Sequence, residues 1–332
     1  MHSRGRFLLT SSSILLAALL LYLALRGVDF ARVWTVVSSA RPALIAAGCC
    51  LGSIAYLMRS LRWRVLLNTE AQLGLPAVFW ANMAGYLGNN LLPARAGELV
   101  RTVLISARFG LSRTFVLTTA FAERLVDSAV LVLVSLVLLS AVADSPPWLR
   151  AASRWAGAFA IAGLLLLAFL PRAGRHASNL VARLPVPRRI HNRLATVADE
   201  LIRGVQTFHD ARRLAAFLAY TTIIWLLDAW GCIVGALALH LDMSLTAALL
   251  LIAALALGSS LPSTPGYVGI YQFAAVTVLS PFGWSRSDAL AYILVVQAFS
   301  YLVIGLWGGL GIWRFRIGYG TLIDSVRDPP HR

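Results

Sequence analysis

The sequence predicts an all-α, polytopic integral membrane protein with about six spanning helices and two re-entrant helical hairpins arranged as an inverted repeat. Three observations carry that reading: an apolar composition poor in charge, six apolar segments of spanning length, and two further apolar stretches broken near their middles by proline and glycine. Of the 332 residues, 59% are apolar and 13% charged, and the mean hydropathy is +0.75; soluble domains carry roughly 25% charged residues. No polar stretch is long enough to fold as a separate catalytic domain, so a soluble enzyme is excluded. Cys49, Cys50 and Cys232 all lie in apolar runs, which leaves neither a disulfide framework nor a CxxC metal site, and no cofactor or metal is expected.

A spanning helix needs ~20 mostly apolar residues. Segments 7–25, 43–66, 114–142, 152–170, 214–239 and 287–312 meet that requirement. The first follows Arg4 and Arg6 as a signal peptide would, but it is long and runs into Leu25-Arg26-Gly27 rather than a small-x-small cleavage pattern, so a retained anchor is expected. Stretch 76–110 is interrupted at Pro93, and stretch 244–282 at Pro262 and Pro265, each with glycines close by; both read as hairpins of half-helices. Gly48 with Gly52 and Gly231 with Gly235 read as helix-packing pairs. The whole of 1–332 is expected to form one domain, with a first half over 7–142, a linking segment over 171–213 and a second half over 214–312.

The chain has no lysine, and its net charge of +15 rests on 29 arginines. Their positions argue against nucleic acid. With the N-terminus inside, twenty arginines fall on the cytoplasmic face, nine of them in 171–213, and six on the other, as the positive-inside rule requires. Both termini are then cytoplasmic, in the inner membrane of the cell. Within 188–208 the stripe Ile190, Leu194, Val197, Leu201, Val205 and Phe208 predicts an amphipathic helix on the cytoplasmic surface, anchored by its arginines to anionic lipid.

The two hairpins share a pattern. Leu87-Gly88-Asn89-Asn90-Leu91-Leu92-Pro93-Ala94-Arg95-Ala96-Gly97 matches Leu257-Gly258-Ser259-Ser260-Leu261-Pro262-Ser263-Thr264-Pro265-Gly266, with one extra leucine in the first copy. On this topology the hairpins enter from opposite faces, so Pro93 and Pro262 are expected to approach each other near the bilayer centre, as broken helices of secondary transporters do. Unwound backbone at that depth needs protein or a water-filled cavity around it.

Apart from the arginines that the count above assigns to the flanking faces, Arg59 and Arg62 among them, seven ionisable residues fall within the apolar stretches: Arg95, Glu98, Arg101, Glu123, Arg124, Asp127 and Asp228. Isolated, each costs about 3 kcal/mol on insertion scales, so they are expected to pair or to be hydrated. Glu98 with Arg101 and Arg124 with Asp127 are spaced i, i+3 and can pair on their own helices. Glu123 and Asp127, i, i+4, need a cation between them, for which Arg95 or Arg101 is the nearest candidate. Two readings follow: a salt-bridge lock holding the hairpin, or an anion site in which arginine forks meet a phosphate. Asn89, Asn90, Ser259, Ser260, Ser263 and Thr264 are expected either to satisfy loose backbone or to bind a headgroup.

The string from Asn89 to Glu98, with Arg101 and Glu123-Arg124-Leu125-Val126-Asp127, resembles the lysylphosphatidylglycerol synthase transmembrane-domain family, the flippase-like membrane proteins. Pro262 to Tyr271, including Gly266, resembles its second signature, which often carries an acidic residue where this chain has Gln272. The resemblance covers roughly 10–315 and implies movement of a modified or glycan-linked lipid across the membrane, with Gly266 and Tyr271 added to the binding set. Larger members carry a cytosolic aminoacyl-transferase; ending at Arg332, this sequence is not expected to transfer lysine to lipid alone. The expected function is a lipid flippase that binds an anionic headgroup, not an enzyme. Without a G-x4-GK[ST] motif, movement would be downhill or gradient-driven. The alternative is an intramembrane or accessory subunit presenting lipid to a glycosyltransferase or aminoacyl-transferase. Candidate partners are the lipid, a second copy of the chain and a lipid-modifying enzyme.

Overall fold

A computed structural model describes residues 15–92, 96–141, 154–155, 157–165, 169, 188–259 and 265–315. Within those bounds lie α1 (Leu15–Leu25), α2 (Phe30–Ser38), α3 (Pro42–Leu67), α4 (Leu75–Leu91), α5 (Gly97–Phe109), α6 (Arg113–Ala141), α7 (Arg188–Val205), α8 (Ala211–Ala238), α9 (Leu245–Ser259), α10 (Ile270–Leu279) and α11 (Arg286–Phe315), of which α2 was not anticipated; of the expected span 152–170 the described residues 154–155, 157–165 and 169 are helical. Among the described residues α3, α8 and α11, of 26, 28 and 30 residues, are long and apolar enough to cross a membrane. α6 is as long, at 29 residues, but carries Glu123, Arg124 and Asp127. The hairpin arms hold 17 and 13 residues in α4 and α5, and 15 and 10 in α9 and α10. At ~1.5 Å per residue each arm falls short of a ~30 Å hydrocarbon core, as half-helices do.

Local chemistry sets the boundaries. Pro42 occupies the first turn of α3 and Pro76 that of α4, where a missing N–H costs nothing. Asp29 and Asp210 cap α2 and α8 through side-chain bonds to the first free amides. Gly110, at φ +67°, ends α5 in a left-handed turn that favours glycine.

The two halves interlock. α3 and α8 run antiparallel in contact, from the Arg41 amide on the Ala238 carbonyl (2.8 Å) at one end to Arg62 on Thr221 further along. α11 lies along α4 of the first half, and α6 along α9 of the second. Leu131 of α6 accordingly sits in the second half's core with Leu251 and Leu290. Both hairpins close on glycines at the matching position of the repeat. A Cβ on Gly88 would lie 2.8 Å from the Gly97 Cα, and one on Gly258 2.7 Å from Ile270 Cγ2. The 3₁₀ turn Pro265–Tyr267 at the mouth of the second hairpin packs against α4 of the first. Pro93 and Pro262 themselves lie outside the described residues.

Two expectations change. The glycines Gly48, Gly52 and Gly231 face open space, and only Gly235 packs closely, a Cβ there lying 3.1 Å from Val296. The amphipathic helix is not simply laid on the surface. Gly204 presses on Thr118 of α6, Val205 and Thr207 are buried, and Phe208 meets Phe217 edge-on at 5.3 Å, while Val197 and Leu201 stay exposed. Its last turn docks into the protein because the stripe there finds a complementary surface on α6 and α8.

Candidate functional site

Five elements converge on one polar cluster inside the first half: α3 supplies Arg62 and Trp63, α4 Asn82 and Tyr86, α5 Glu98 and Arg101, α6 Glu123, Arg124 and Asp127, and α8 Thr221. Arg62 grips Asp127 with both terminal nitrogens, Nη1 to Oδ1 at 2.5 Å and Nη2 to Oδ2 at 2.8 Å, and donates to Glu123 Oε1 at 2.8 Å. Nη1 also donates to the Thr221 hydroxyl at 3.1 Å, and the guanidinium lies 5.0 Å over Phe217. Arg101 donates to Glu123 Oε2 at 3.1 Å and Asn82 Oδ1 at 2.9 Å, meets Glu98 Oε2 at 2.6 Å, and stacks 4.5 Å over Trp63. Arg124 donates through Nε to Glu98 Oε1 at 3.0 Å and lies 5.7 Å from the Tyr86 ring.

The result is a ladder of alternating sign: Asp127, Arg62, Glu123, Arg101, Glu98, Arg124. Each interior charge touches two of the opposite sign. That arrangement is how six charges are held in an apolar bundle, where losing any one partner strands another. Burial is deepest in the middle, and the Asp127 side chain at one end is 11% exposed. The side chains of Arg62, Glu123 and Arg101 are 1–2% exposed, Glu98 20% and Arg124 30%. Arg124 is the reachable end, and its two Nη groups make no hydrogen bond among the described residues.

Glu98, Arg101, Glu123, Arg124 and Asp127 are therefore brought together, whereas Arg95, Ser263 and Thr264 lie outside the described residues. The cation between Glu123 and Asp127 is Arg62, not Arg95, and Arg101 reaches Glu123 alone. Arg62 had counted as a cytoplasmic flank of α3; with Arg59 it turns inward instead. The signal was there, since Arg59 and Arg62 share one face of a 26-residue helix and the carboxylate pair lacked a cation. Arg124 pairs with Glu98 across to α5 instead of along α6. Asp228 stands apart from the ladder, paired with Arg59 at 2.5 Å. Asn89 is buried where its amide and Oδ1 crowd Gly97, and Asn90 is half-buried at the end of α4.

The second hairpin holds no such charges. Gln272 Oε1 accepts the Gly269 N–H at 2.7 Å, Gln272 Nε2 donates to Gln297 Oε1 at 2.7 Å, and Gln297 Nε2 donates to the Gly266 carbonyl at 2.7 Å, where the Tyr301 hydroxyl also donates. Gly266 has φ +74°, and a Cβ there would strike Tyr301. Tyr271 stacks on Tyr267 at 5.0 Å and 10°.

A family model described as the lysylphosphatidylglycerol synthase TM region matches residues 11–308. The chain belongs to that family. The lysylphosphatidylglycerol synthase TM region so defined takes in all of the ladder and both hairpins. The chain is 25% identical to a protein named Glycosyltransferase AglD from Haloferax volcanii, over 96% of its own length and 57% of that protein's. It thus spans little more than half of that relative. A UPF0104 membrane protein of Methanocaldococcus jannaschii is 22% identical over 67% of this chain and 91% of its own. No solved structure matches.

Proposed function

We propose that this membrane protein translocates a lipid with an anionic headgroup, and that the headgroup docks at the open end of the charge ladder on Arg124, which Glu98 holds in place. The observation that carries the reading is the half-exposed Arg124, whose Nε is spent on Glu98 while both Nη groups stay available for a phosphate. Arg101, buried between two carboxylates and Asn82, holds Glu98 in place and does not itself meet the lipid. The protein sits in the cell membrane with both termini cytoplasmic; moving Arg59 and Arg62 from the loop tally into the bundle leaves the arginine bias on the same side. The two hairpins enter from opposite faces.

Arg124→Gln should abolish headgroup translocation in reconstituted vesicles, read by accessibility of a labelled phospholipid to an external quencher, with little loss of thermal stability. Transfer at the unaltered rate would sink the reading. A second reading has one observation behind it: the match covers only 57% of the relative named a glycosyltransferase, so the shared region would be the lipid-handling part of a larger enzyme. In that case this chain presents lipid to a partner enzyme, and lipid binding would persist with no translocation in pure vesicles.

A further inference from the structure

A second ion pair resembles the open end of the ladder. Arg59 on α3 and Asp228 on α8 pair through Nη2 alone, with side chains 16% and 20% exposed, and no other hydrogen bond engages the Arg59 guanidinium among the described residues. Both residues lie well inside helices long enough to cross a membrane. A half-exposed ion pair at such a position is costly against hydrocarbon but not against a hydrated crevice.

The two pairs are joined by aromatic rings. Arg59 lies 5.4 Å over Tyr56, Tyr56 meets Tyr86 at 5.0 Å, and Arg124 lies 5.7 Å over the far partner, Tyr86. All six side chains, Arg59, Asp228, Tyr56, Tyr86, Arg124 and Glu98, keep partial exposure, unlike Arg62 and Arg101 in the sealed part of the ladder. An open guanidinium at each end of one tyrosine-lined wall makes two positions that can each take a phosphate, the planar fork supplying donors and the ring faces holding each fork in orientation.

We propose that Arg59, backed by Asp228 and the Tyr56–Tyr86 pair, is a second phosphate-binding station, so that a phosphate-bearing headgroup passes between Arg59 and Arg124 along the tyrosines. This rests on the reading of Arg124 as the headgroup site. Spanning α3 and α8, the station belongs to both halves, whereas Arg124 and Glu98 belong to the first alone.

Calorimetric titration of the full chain in phosphatidylcholine nanodiscs, with dihexanoyl phosphatidylglycerol and separately with inorganic phosphate, tests it. The unaltered chain should bind two phosphatidylglycerols, and Arg59→Gln with Asp228→Asn, which removes the pair together, should remove one. Arg59→Lys, which keeps the ion pair and so the fold, should weaken that event about tenfold by losing the fork. One bound lipid in the unaltered chain, or unchanged binding in Arg59→Lys, overturns the second station. Weakening by Arg124→Gln in the same titration would leave the first reading standing. Binding of neither probe overturns both, and binding of inorganic phosphate without the lipid overturns the headgroup as its source.

Discussion

The two hairpins pose the same structural problem and solve it with different chemistry. Each breaks a helix in apolar surroundings, packs its arms on a glycine at the matching repeat position, and must hold the first turn of its second arm against the long helix that follows. In the first hairpin Glu98 does this through Arg101 and Arg124; in the second, where the repeat sets Tyr267 opposite Glu98, the task falls to Gln272, which binds Gln297, and Gln297 in turn meets Tyr301. Spacing repeats as well, since Glu123 and Asp127 on α6 stand four apart, as Gln297 and Tyr301 do on α11. A charged ladder must alternate and ends in a charge that needs company. A chain of amides closes on itself at the Gly266 carbonyl. Of the two, the first leaves a partly exposed cation, Arg124, whose Nη groups make no hydrogen bond among the described residues.

Replacing a buried cation that bridges two carboxylates should give the largest effect. Arg62→Gln strands Asp127, leaves Glu123 with Arg101 alone, and should cost about 3 to 5 kcal/mol, seen as a large fall in melting temperature in detergent. Adding Asp127→Asn should recover much of it. If Arg62→Gln melts like the unaltered protein, the ladder is not what holds the first hairpin.

Next in size is conversion of the second hairpin toward the first. Gln272→Glu puts a carboxylate where the side chain is buried and paired only with an amide and a backbone N–H, and should cost about 3 kcal/mol. Combining it with Gln297→Arg should restore stability; equal stability of the single and the double variant would refute the equivalence of the two hairpins.

Glycine sharpens the comparison further. Gly97→Ala would drive a methyl into the Gly85 carbonyl and the Asn89 amide, which are backbone atoms unable to turn aside, and should cost about 1 to 3 kcal/mol. Gly258→Ala meets only the Ile270 side chain and should cost less. Urea or thermal unfolding of the pair ranks them.

The smallest effect is at the first turns of the two long antiparallel helices. α3 has no side-chain cap, whereas α8 is capped by the exposed Asp210, whose carboxyl the Arg213 and then the Arg212 backbone N–H hold below its ordinary value. A depressed carboxylate contributes stability above its unfolded value and loses it as pH falls through the folded one. Asp210→Ala should therefore lower the melting temperature slightly at neutral pH and not at all in strong acid. A deficit that persists unchanged in acid would assign the effect to something other than this cap.

Much of this was legible in the residues. Hairpin positions followed from proline and glycine in apolar runs, and α4, α5, α9 and α10 begin and end within a few residues of that reading. That Glu98, Arg101, Glu123, Arg124 and Asp127 share one cluster followed from their cost apart. Arg62 and Arg59 are passed over as interior, although they share a face of α3, because hydropathy treats arginines near a helix end as flanking charges; the packing of α3 on α8 turns them inward.

By itself the sequence determined that this chain is a helical membrane protein, that it has two broken segments of similar pattern, and that its interior charges must neutralise one another. These follow from desolvation, which depends on composition and spacing along the chain. Only the tertiary structure decided which cation meets which carboxylate, that the ladder seals at Arg62 and opens at Arg124, and that Asp228 pairs elsewhere. Pairing is set by distances of a few ångströms between helices far apart in sequence, and among several arginines of equal charge nothing but packing chooses.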